Sequence, residues 1–329
     1  MNLVIEIGLG YIKVKNDKNE KRLFPSIVAE KKTGPLMGIY NRNSDYMVTY
    51  HTSREEVTLC VGNAAINNMG KRKDRLNEDE VRCFLMCALG IVGEQQELVN
   101  LMVVMPTGYT DIENKLINDL VHQKLEIAIN GEKKTRVIQS INFFPETVVG
   151  YYNQVLKDNK INYDLIKVGN SIGIIDIGYK HVKYLIMTSG KDGIKKIDNL
   201  SGTLEDQGMK ICYNSIYENL GELKDEIDLE DVEESIVKNN GILECRRGQI
   251  DLTSECHKIY GKYITNLEVQ IKRVWGIEKD LLTKLVIVGG PVNTLKGYLN
   301  DSFGPCEIEE ESIFYGCNGG LAIQSLNII

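Results

Sequence analysis

Two segments of this chain repeat one pattern of side chains. Residues 6–13 read EIGLGYIK and residues 176–183 read DIGYKHVK, so an acid, an isoleucine, a glycine, a branched aliphatic residue and a lysine fall at the same offsets. Each copy follows an apolar run and precedes another, which predicts a strand, a tight turn and a second strand. Two halves built around the same turn indicate an internal duplication, with a cleft between the halves.

The length of the chain supports this division. A chain of 329 residues is longer than one hydrophobic core usually serves, so two domains are expected. The stretch from residue 158 to residue 171 is polar and rich in turn formers, and we place the domain boundary there.

Composition excludes several classes of function. The net charge of −7 argues against a general phosphate-binding face and against direct reading of DNA. The 8 cysteines include no C-x-x-C pair and the 4 histidines are scattered, so neither a zinc site nor a disulfide framework is predicted. The first residues lack the basic start of a signal peptide, and no membrane span is expected. Reduced core thiols in a cytosolic protein are the favoured interpretation.

The repeated turn is suited to binding phosphate. Gly8 and Gly178 lack Cβ, so a phosphate can approach the backbone and accept hydrogen bonds from successive N–H groups. Glu6 and Asp176 precede the turns and could hold the water ligands of Mg²⁺, while Lys13 could reach phosphate oxygens. The alternative is two plain hairpins whose glycines serve only the turn. The repetition favours phosphate binding, although the P-loop signature is absent.

Four other positions have a possible chemical role and a simpler one. Glu146 could orient a water for attack on a γ-phosphate, or only stabilise the start of its helix. Gly289-Gly290-Pro291 could lie flat against adenosine, or form a strand-to-helix turn. Ser201-Gly202-Thr203 could contact a phosphate or ribose, or cap a helix predicted from about Leu204. His181 could face a nucleotide or lie exposed. Taken alone, the simpler role is favoured for the first three, and His181 stays open.

Together these elements resemble the actin-like ATPase superfamily, and within it the bacterial plasmid-segregation proteins of the ParM type. The resemblance spans nearly the whole chain, and its pieces come in order: EIGLGYIK at 6–13, FPS at 24–26, CVGNAA at 60–65, VVMPTGY at 103–109, FFPETVVGYY at 143–152, DIGYKHVK at 176–183, LSGTLEDQGMK at 200–210, IVGGPV at 287–292 and YGCNGGLA at 315–322.

The resemblance implies an α/β fold of the actin-like, ribonuclease H-like type with two domains. Domain I would span residues 1–160, with a smaller subdomain inserted around 30–90. Domain II would span residues 161–329, with a helical subdomain around 205–280. Each domain would be a mixed sheet flanked by helices, with the nucleotide cleft between the two domains.

It also implies a role for each matching residue. Glu146 would position the hydrolytic water, Glu6 and Asp176 would hold Mg²⁺ through water, and Gly202 would lie beside the nucleotide. The remaining contacts would come from the first loop, the second loop and the adenosine turn: Gly8, Leu9, Gly10 and Lys13; Gly178, Tyr179 and Lys180; Gly289, Gly290 and Pro291.

Both loops depart from the family pattern. Glu6 stands where the family normally has Asp, and His181, Val182 and Lys183 stand where it has small hydroxyl residues and then an acid. These departures bear on metal geometry and on the rate of hydrolysis more than on binding, which depends on the glycine backbone.

The function implied is a polymerising ATPase that hydrolyses ATP or GTP with Mg²⁺. It would form cytomotive filaments in the cytoplasm, away from membranes, and would segregate plasmid DNA through a ParR-like DNA-binding adaptor. Two alternatives remain open at this point. One is an actin-fold scaffold or adaptor that binds nucleotide with little hydrolysis, and the other is a small-molecule kinase.

Overall fold

The computed structural model of the chain describes residues 1–31, 45–52, 55–157, 160–309 and 311–326. They fall into two units, one of Met1–Tyr163 with Ile313–Ile329 and the other of Asp164–Ser312. The expected division is 1–160 and 161–329, so the structure differs in grouping the last segment with the first unit.

The first unit is built on one mixed sheet. Within the described residues its strand order is β3-β2-β1-β7-β9-β8-β5-β6-β4, with β1, β7 and β9 parallel. A separate two-stranded ladder, β10–β11, follows α4. The elements up to residue 161 are β1 Asn2–Ile7, β2 Tyr11–Asn16, β3 Lys21–Pro25, β4 Val28–Glu30, β5 Asp45–His51, β6 Glu56–Gly62, α1 Asn63–Asn67, α2 Glu78–Ile91, β7 Gln96–Met105, α3 Thr110–Leu120, β8 Lys124–Ile129, β9 Glu132–Pro145, α4 Glu146–Val155, β10 Leu156–Lys157 and β11 Lys160–Ile161.

The region expected to form an inserted subdomain, around 30–90, continues this sheet in its described part. Strand β5 pairs with β8 from Val48 opposite Ile129 to Tyr50 opposite Ile127, so β5 and β6 extend the main ladder. Residues 32–44 and 53–54 of the expected subdomain lie outside the described residues.

The second unit has a smaller mixed sheet. Its order is β14-β13-β12-β18-β19, with β15 also paired to β13, and β12, β18 and β19 are parallel. The region around 205–280 is mainly helical and includes the hairpin β16–β17. Its elements are β12 Ser171–Ile177, β13 Val182–Gly190, β14 Gly193–Lys196, β15 Gly202–Leu204, α5 Lys210–Glu218, α6 Leu229–Lys238, β16 Ile242–Cys245, β17 Gly248–Asp251, α7 Thr253–Trp275, β18 Lys284–Val288, α8 Val292–Phe303 and β19 Glu307–Ile308. The helix that follows, α9 Tyr315–Ser325, belongs to the first unit.

The predicted repeat is present in the order and register of these elements. Each half runs through a hairpin, a helix, a parallel strand, a helix, a second parallel strand and a final helix: β1–β2, α2, β7, α3, β9 and α4 in one, and β12–β13, α7, β18, α8, β19 and α9 in the other. Glu6 lies opposite Lys13 and Val104 in its sheet, and Asp176 lies opposite Lys183 and Val288 in its own.

Close packing by glycines explains why α9 groups with the first unit. A Cβ added at Gly319 would lie 2.9 Å from Val149 Cγ1 and 3.1 Å from Asn153 N, both in α4. A Cβ at Gly320 would lie 2.8 Å from Val4 Cγ1 in β1. Because these Cβ atoms are absent, α9 can approach both elements closely.

A buried arginine joins α2 to this sheet. Arg136, on β9, is fully buried, and its guanidinium donates to the carbonyls of Leu89 (3.0 Å), Val92 (2.7 Å) and Glu94 (2.6 Å). The last turn of α2 has no basic residue of its own. Arg136 therefore satisfies carbonyls at the end of that helix. Burial lowers the pKa of Arg136 from its ordinary value.

We predict that Arg136→Met lowers the free energy of unfolding by about 3–5 kcal/mol, because several buried carbonyls lose a charged donor at once. Urea unfolding of the full chain measures this. Lys134→Met is the matched control, since the half-buried Lys134 amine donates to the neighbouring carbonyls of Val92 and Gly93. It should cost less than about 1.5 kcal/mol. Equal losses in the two variants would contradict the role given to Arg136.

Candidate functional site

The two repeated turns close in the same way. Gly8 N donates to Tyr11 O at 3.2 Å, and Gly178 N donates to His181 O at 3.0 Å. A Cβ added at Gly8 would lie 3.1 Å from Tyr11 O, and a Cβ added at Gly178 would lie 3.0 Å from His181 O. Both are tight contacts with the oxygen that accepts the hydrogen bond of that turn. The turns are therefore equivalent in backbone as well as in sequence.

The acid of the first turn is deeply buried and ion-paired. Glu6 is 2% exposed, and its Oε1 pairs with Lys13 Nζ across the β1–β2 ladder. Its Oε2 has no hydrogen-bond partner among the described residues. A buried carboxylate oxygen normally has a donor, and a water bound to Mg²⁺ would supply one. The residues present thus fit a metal held through water.

Lys13 lies close to both the acid and an aromatic ring. Its side chain is 11% exposed, and Nζ lies 5.8 Å from the centroid of the Tyr315 ring. The amine is a point charge on a flexible stem, so it can exchange a carboxylate partner for a phosphate oxygen.

Two residues without a predicted role support the first loop. Ser26 donates through Oγ to Gly8 O and through its backbone N to Gly10 O. Arg72 Nε also donates to Gly10 O, at 3.2 Å, and its guanidinium lies 5.3 Å from the ring centroid of Tyr11. The basic run from 71 to 75 is the sequence signal for Arg72, but nothing in it indicates which residue reaches the loop. Leu9 packs on the core of this unit.

The first loop and Glu146 lie along one edge of the first sheet. Strands β1, β7 and β9 are parallel neighbours, and they end at Ile7, at Met105 and at Pro145. Glu146 is buried and begins α4, where the helix dipole favours its ionised form. β1 and β9 are two strand spacings apart, about 10 Å. Ligands of open α/β sheets bind outside such carboxyl ends.

The turn at Gly289-Gly290-Pro291 contains two glycines with different requirements. Gly289 has a φ of 118°, and an added Cβ would lie 2.8 Å from the carbonyl carbon of Ile177 and 2.9 Å from Asp176 Oδ1. Gly290 is exposed, and an added Cβ would meet no described atom within 4 Å. The protein therefore requires glycine at 289 but not at 290. Pro291 follows as the N-cap of α8.

The start of α5 packs on the second loop through a glycine that sequence analysis missed. The N–H groups of Gly208, Met209 and Lys210 donate to the carbonyls of Lys180, Gly178 and Tyr179 at 2.8–3.0 Å. A Cβ at Gly208 would lie 2.5 Å from Tyr179 O. The spacing of LSGTLEDQGMK points to Gly202 instead.

The helix-cap interpretation of Ser201-Gly202-Thr203 is wrong. The helix begins at Lys210, not near Leu204, and Gly202–Leu204 forms the strand β15. Asp206 has a φ of 53°, a left-handed conformation that a continuous helix does not allow. Ser201 instead accepts a hydrogen bond from Ile186 N and donates to Ile197 O. Gly202 lies exposed on β15, opposite Tyr184.

His181 is held by an acidic turn. Its side chain is 17% exposed, Asp206 N lies 3.2 Å from Nδ1, and Glu205 Oε2 lies 2.8 Å from the same nitrogen. Neutral Nδ1 accepts from the Asp206 N–H group, and a protonated Nδ1 donates to Glu205. Lys180 Nζ also lies 3.7 Å from Asp206 Oδ1. The exposed alternative for His181 is therefore excluded.

No three histidine, cysteine, aspartate or glutamate side chains in the described part of the chain are grouped to ligate a metal directly. Among the described helices, none combines the length and the apolar character of a membrane span.

Two family models match the chain. The model of the N-terminal domain of actin-like proteins matches residues 5–148, and that of the C-terminal domain of the archaeal MreB-like actin homologue matches residues 174–301. A search of curated proteins finds no significant match.

Solved structures with this fold include ParM proteins and an archaeal actin homologue. A 15-stranded ParM filament from Clostridium botulinum is 21% identical with a TM-score of 0.79, covering 98% of this chain and 99% of that one. A non-polymerisable quadruple mutant of the pCBH ParM is 21% identical with a TM-score of 0.77, covering 99% and 98%. An archaeal actin homologue in complex with ADP is 17% identical with a TM-score of 0.74, covering 99% of each chain.

We predict that the stability of the protein is sensitive to substitution of Gly289 and insensitive to substitution of Gly290. Gly289→Ala should lower the free energy of unfolding by about 2 kcal/mol or more, because of its positive φ and its contact with Ile177. Gly290→Ala should change it by less than about 0.5 kcal/mol. Urea unfolding of both variants without ligand checks this, and similar losses would contradict the distinction.

Proposed function

This chain belongs to the actin-like proteins, and we propose that it is a nucleotide-dependent polymerising ATPase that forms cytomotive filaments. The observation that carries the proposal is the duplicated loop. Both copies have a buried acid in register with a lysine, and both have a glycine turn closed by the same backbone hydrogen bond.

The phosphates would be bound mainly by backbone N–H groups of the two turns. Such groups need close approach, and the glycines leave that approach open. Lys13 would leave Glu6 for a phosphate oxygen when nucleotide binds. The proposed phosphate contacts are Gly8, Leu9, Gly10 and Lys13 in the first loop and Gly178, Tyr179 and Lys180 in the second.

Mg²⁺ would be held through water by Glu6 and Asp176. When bound, the ion neutralises phosphate charge. Glu6 Oε2, which lacks a hydrogen-bond partner among the described residues, would accept from one of its waters. Asp176 is buried beside Gly289, whose missing Cβ leaves space next to the carboxylate. The nucleotide would be ATP or GTP.

Glu146 would orient the water that attacks the γ-phosphate. Its place at the start of α4, where the helix dipole favours a negative charge, suits a proton acceptor, and its burial holds the side chain in place. Adenosine would lie against Gly289, Gly290 and Pro291. The open space at Gly290 supports this contact, because the protein itself does not require glycine there. Gly202 would lie beside the nucleotide, a contact that rests on the family resemblance alone.

Assembly is supported by the fold shared with the ParM filament. We propose that copies of this chain associate with each other in the cytoplasm and that a ParR-like DNA-binding adaptor connects the filament to plasmid DNA. The net charge of −7 supports an adaptor, since an acidic chain repels the DNA backbone.

A nucleotide-binding scaffold with little hydrolysis is the second candidate. The observation that favours it is the second loop, where His181 and Lys180 are close to Glu205 and Asp206. Side chains held in this way are less available to a phosphate. Filaments that form while phosphate release stays at background would favour this candidate over the first.

We predict that the purified chain polymerises with ATP or GTP and Mg²⁺. Light scattering and pelleting should rise with a triphosphate and stay at baseline without nucleotide, and electron micrographs should show filaments. Absence of assembly at high protein concentration with either triphosphate would contradict the proposed function.

We predict that Glu146→Ala keeps nucleotide affinity but slows phosphate release by about 10²-fold or more, because the water loses its proton acceptor. Filaments of this variant should persist longer. Glu230→Ala, which removes a first-turn acid from α6, is the control and should behave as the parent. Equal turnover in Glu146→Ala and the parent would remove Glu146 from the mechanism.

A further inference from the structure

The two loops differ in the length of their acids. Glu6 and Asp176 occupy the same register in equivalent hairpins, yet the glutamate side chain has one more methylene. Its carboxylate therefore ends about 1.5 Å further from the backbone, one C–C bond. A water-mediated Mg²⁺ site tolerates little misplacement, so the first unit must accommodate the extra length.

Gly316, in the first turn of α9, provides that space. A Cβ added at Gly316 would overlap Glu6 Oε2 and would lie 2.9 Å from Glu6 Cδ and 3.5 Å from Cγ. The three nearest heavy atoms all belong to Glu6. Gly316 is helical, and it has none of the positive φ that requires glycine at Gly289. Glu6 is therefore sufficient to explain glycine at this position.

Neither partner can move away freely. Glu6 is buried and paired with Lys13. The first turn of α9 is tied to the same hairpin, because Lys15 Nζ donates to Asn318 Oδ1 at 2.6 Å and Cys317 Sγ donates to Lys13 O at 3.6 Å. A side chain at residue 316 would displace the carboxyl group of Glu6, because that group is the most flexible part of the structure that the new side chain would contact.

We propose that Gly316 is the positioning residue for Glu6, setting where its longer carboxylate meets the water of the bound metal. The metal-positioning role rests on the proposed function, whereas the steric contact between Gly316 and Glu6 is independent of it. It predicts that glycine at 316 is needed with glutamate at 6 and is dispensable with aspartate at 6.

The steric relation is tested without ligand by a double-mutant cycle. Gly316→Ala should lower the urea midpoint of the parent. In the Glu6→Asp background it should leave the midpoint unchanged or raise it, because alanine then fits and is the better helix former. Gly320→Ala is the control in α9: its Cβ would meet Val4 and Met102, so it should lower the midpoint equally in both backgrounds.

The positioning role is tested by the Mg²⁺ dependence of nucleotide affinity. Gly316→Ala should raise the Mg²⁺ concentration needed for half-maximal tightening of ADP or ATP binding by about tenfold, the usual effect of disturbing a supporting residue. Affinity measured in EDTA should change much less. In the double variant that combines Gly316→Ala with Glu6→Asp, the Mg²⁺ concentration needed should lie within about threefold of that needed by Glu6→Asp alone.

The outcomes separate the two proposals. Equal effects of Gly316→Ala in the parent and in the Glu6→Asp background would overturn the inference whether or not nucleotide binds. If the effects of Gly316→Ala and Glu6→Asp on stability are coupled but Gly316→Ala leaves the Mg²⁺ requirement unchanged, the positioning role is overturned. A parent chain that binds no nucleotide, with or without Mg²⁺, would overturn the proposed function and the metal role with it, while the ligand-free cycle would still report the contact.

Discussion

Parallel pairing of each acid-bearing strand with the strand beside it is the constraint on which both units depend. β1 pairs with β7 in the same way as β12 pairs with β18, so that Glu6 and Asp176 have equivalent neighbours. These strands are buried over most of their length. A slip by one residue would turn every side chain to the other face of the sheet. The pairing therefore fixes at once where Glu6 and Asp176 lie, where the loops begin and where the following turns can approach them.

Much of this framework could be predicted from local patterns. The repeated turn and the apolar strands on either side of it have signatures within a few residues, and the structure has both at the predicted places. The helix that follows the second loop could not be placed from local patterns. The helix predicted from Leu204 begins at Lys210, because Asp206 adopts a left-handed conformation that no neighbouring residue signals.

The contacts that support the site could not be predicted in this way. Gly208, Arg72 and Gly316 matter because of what lies against them, and each partner is far away in the chain. The same holds for Arg136, whose carbonyl partners belong to the end of α2 and the turn after it. Grouping α9 with domain II followed sequence order, whereas the glycines of α9 pack against β1 and α4. A single sequence shows that a glycine is present, but not which atom requires its missing Cβ.

The contact between Glu6 and Gly316 also has a consequence for synthesis. Residue 316 follows residue 6 by about 300 residues, which a ribosome translating 5–20 residues per second adds in roughly 15–60 s. During that interval the first hairpin has emerged, but the helix turn that backs its carboxylate does not yet exist. The first half of the chain therefore lacks the helix turn that packs against Glu6 until the second half has been made.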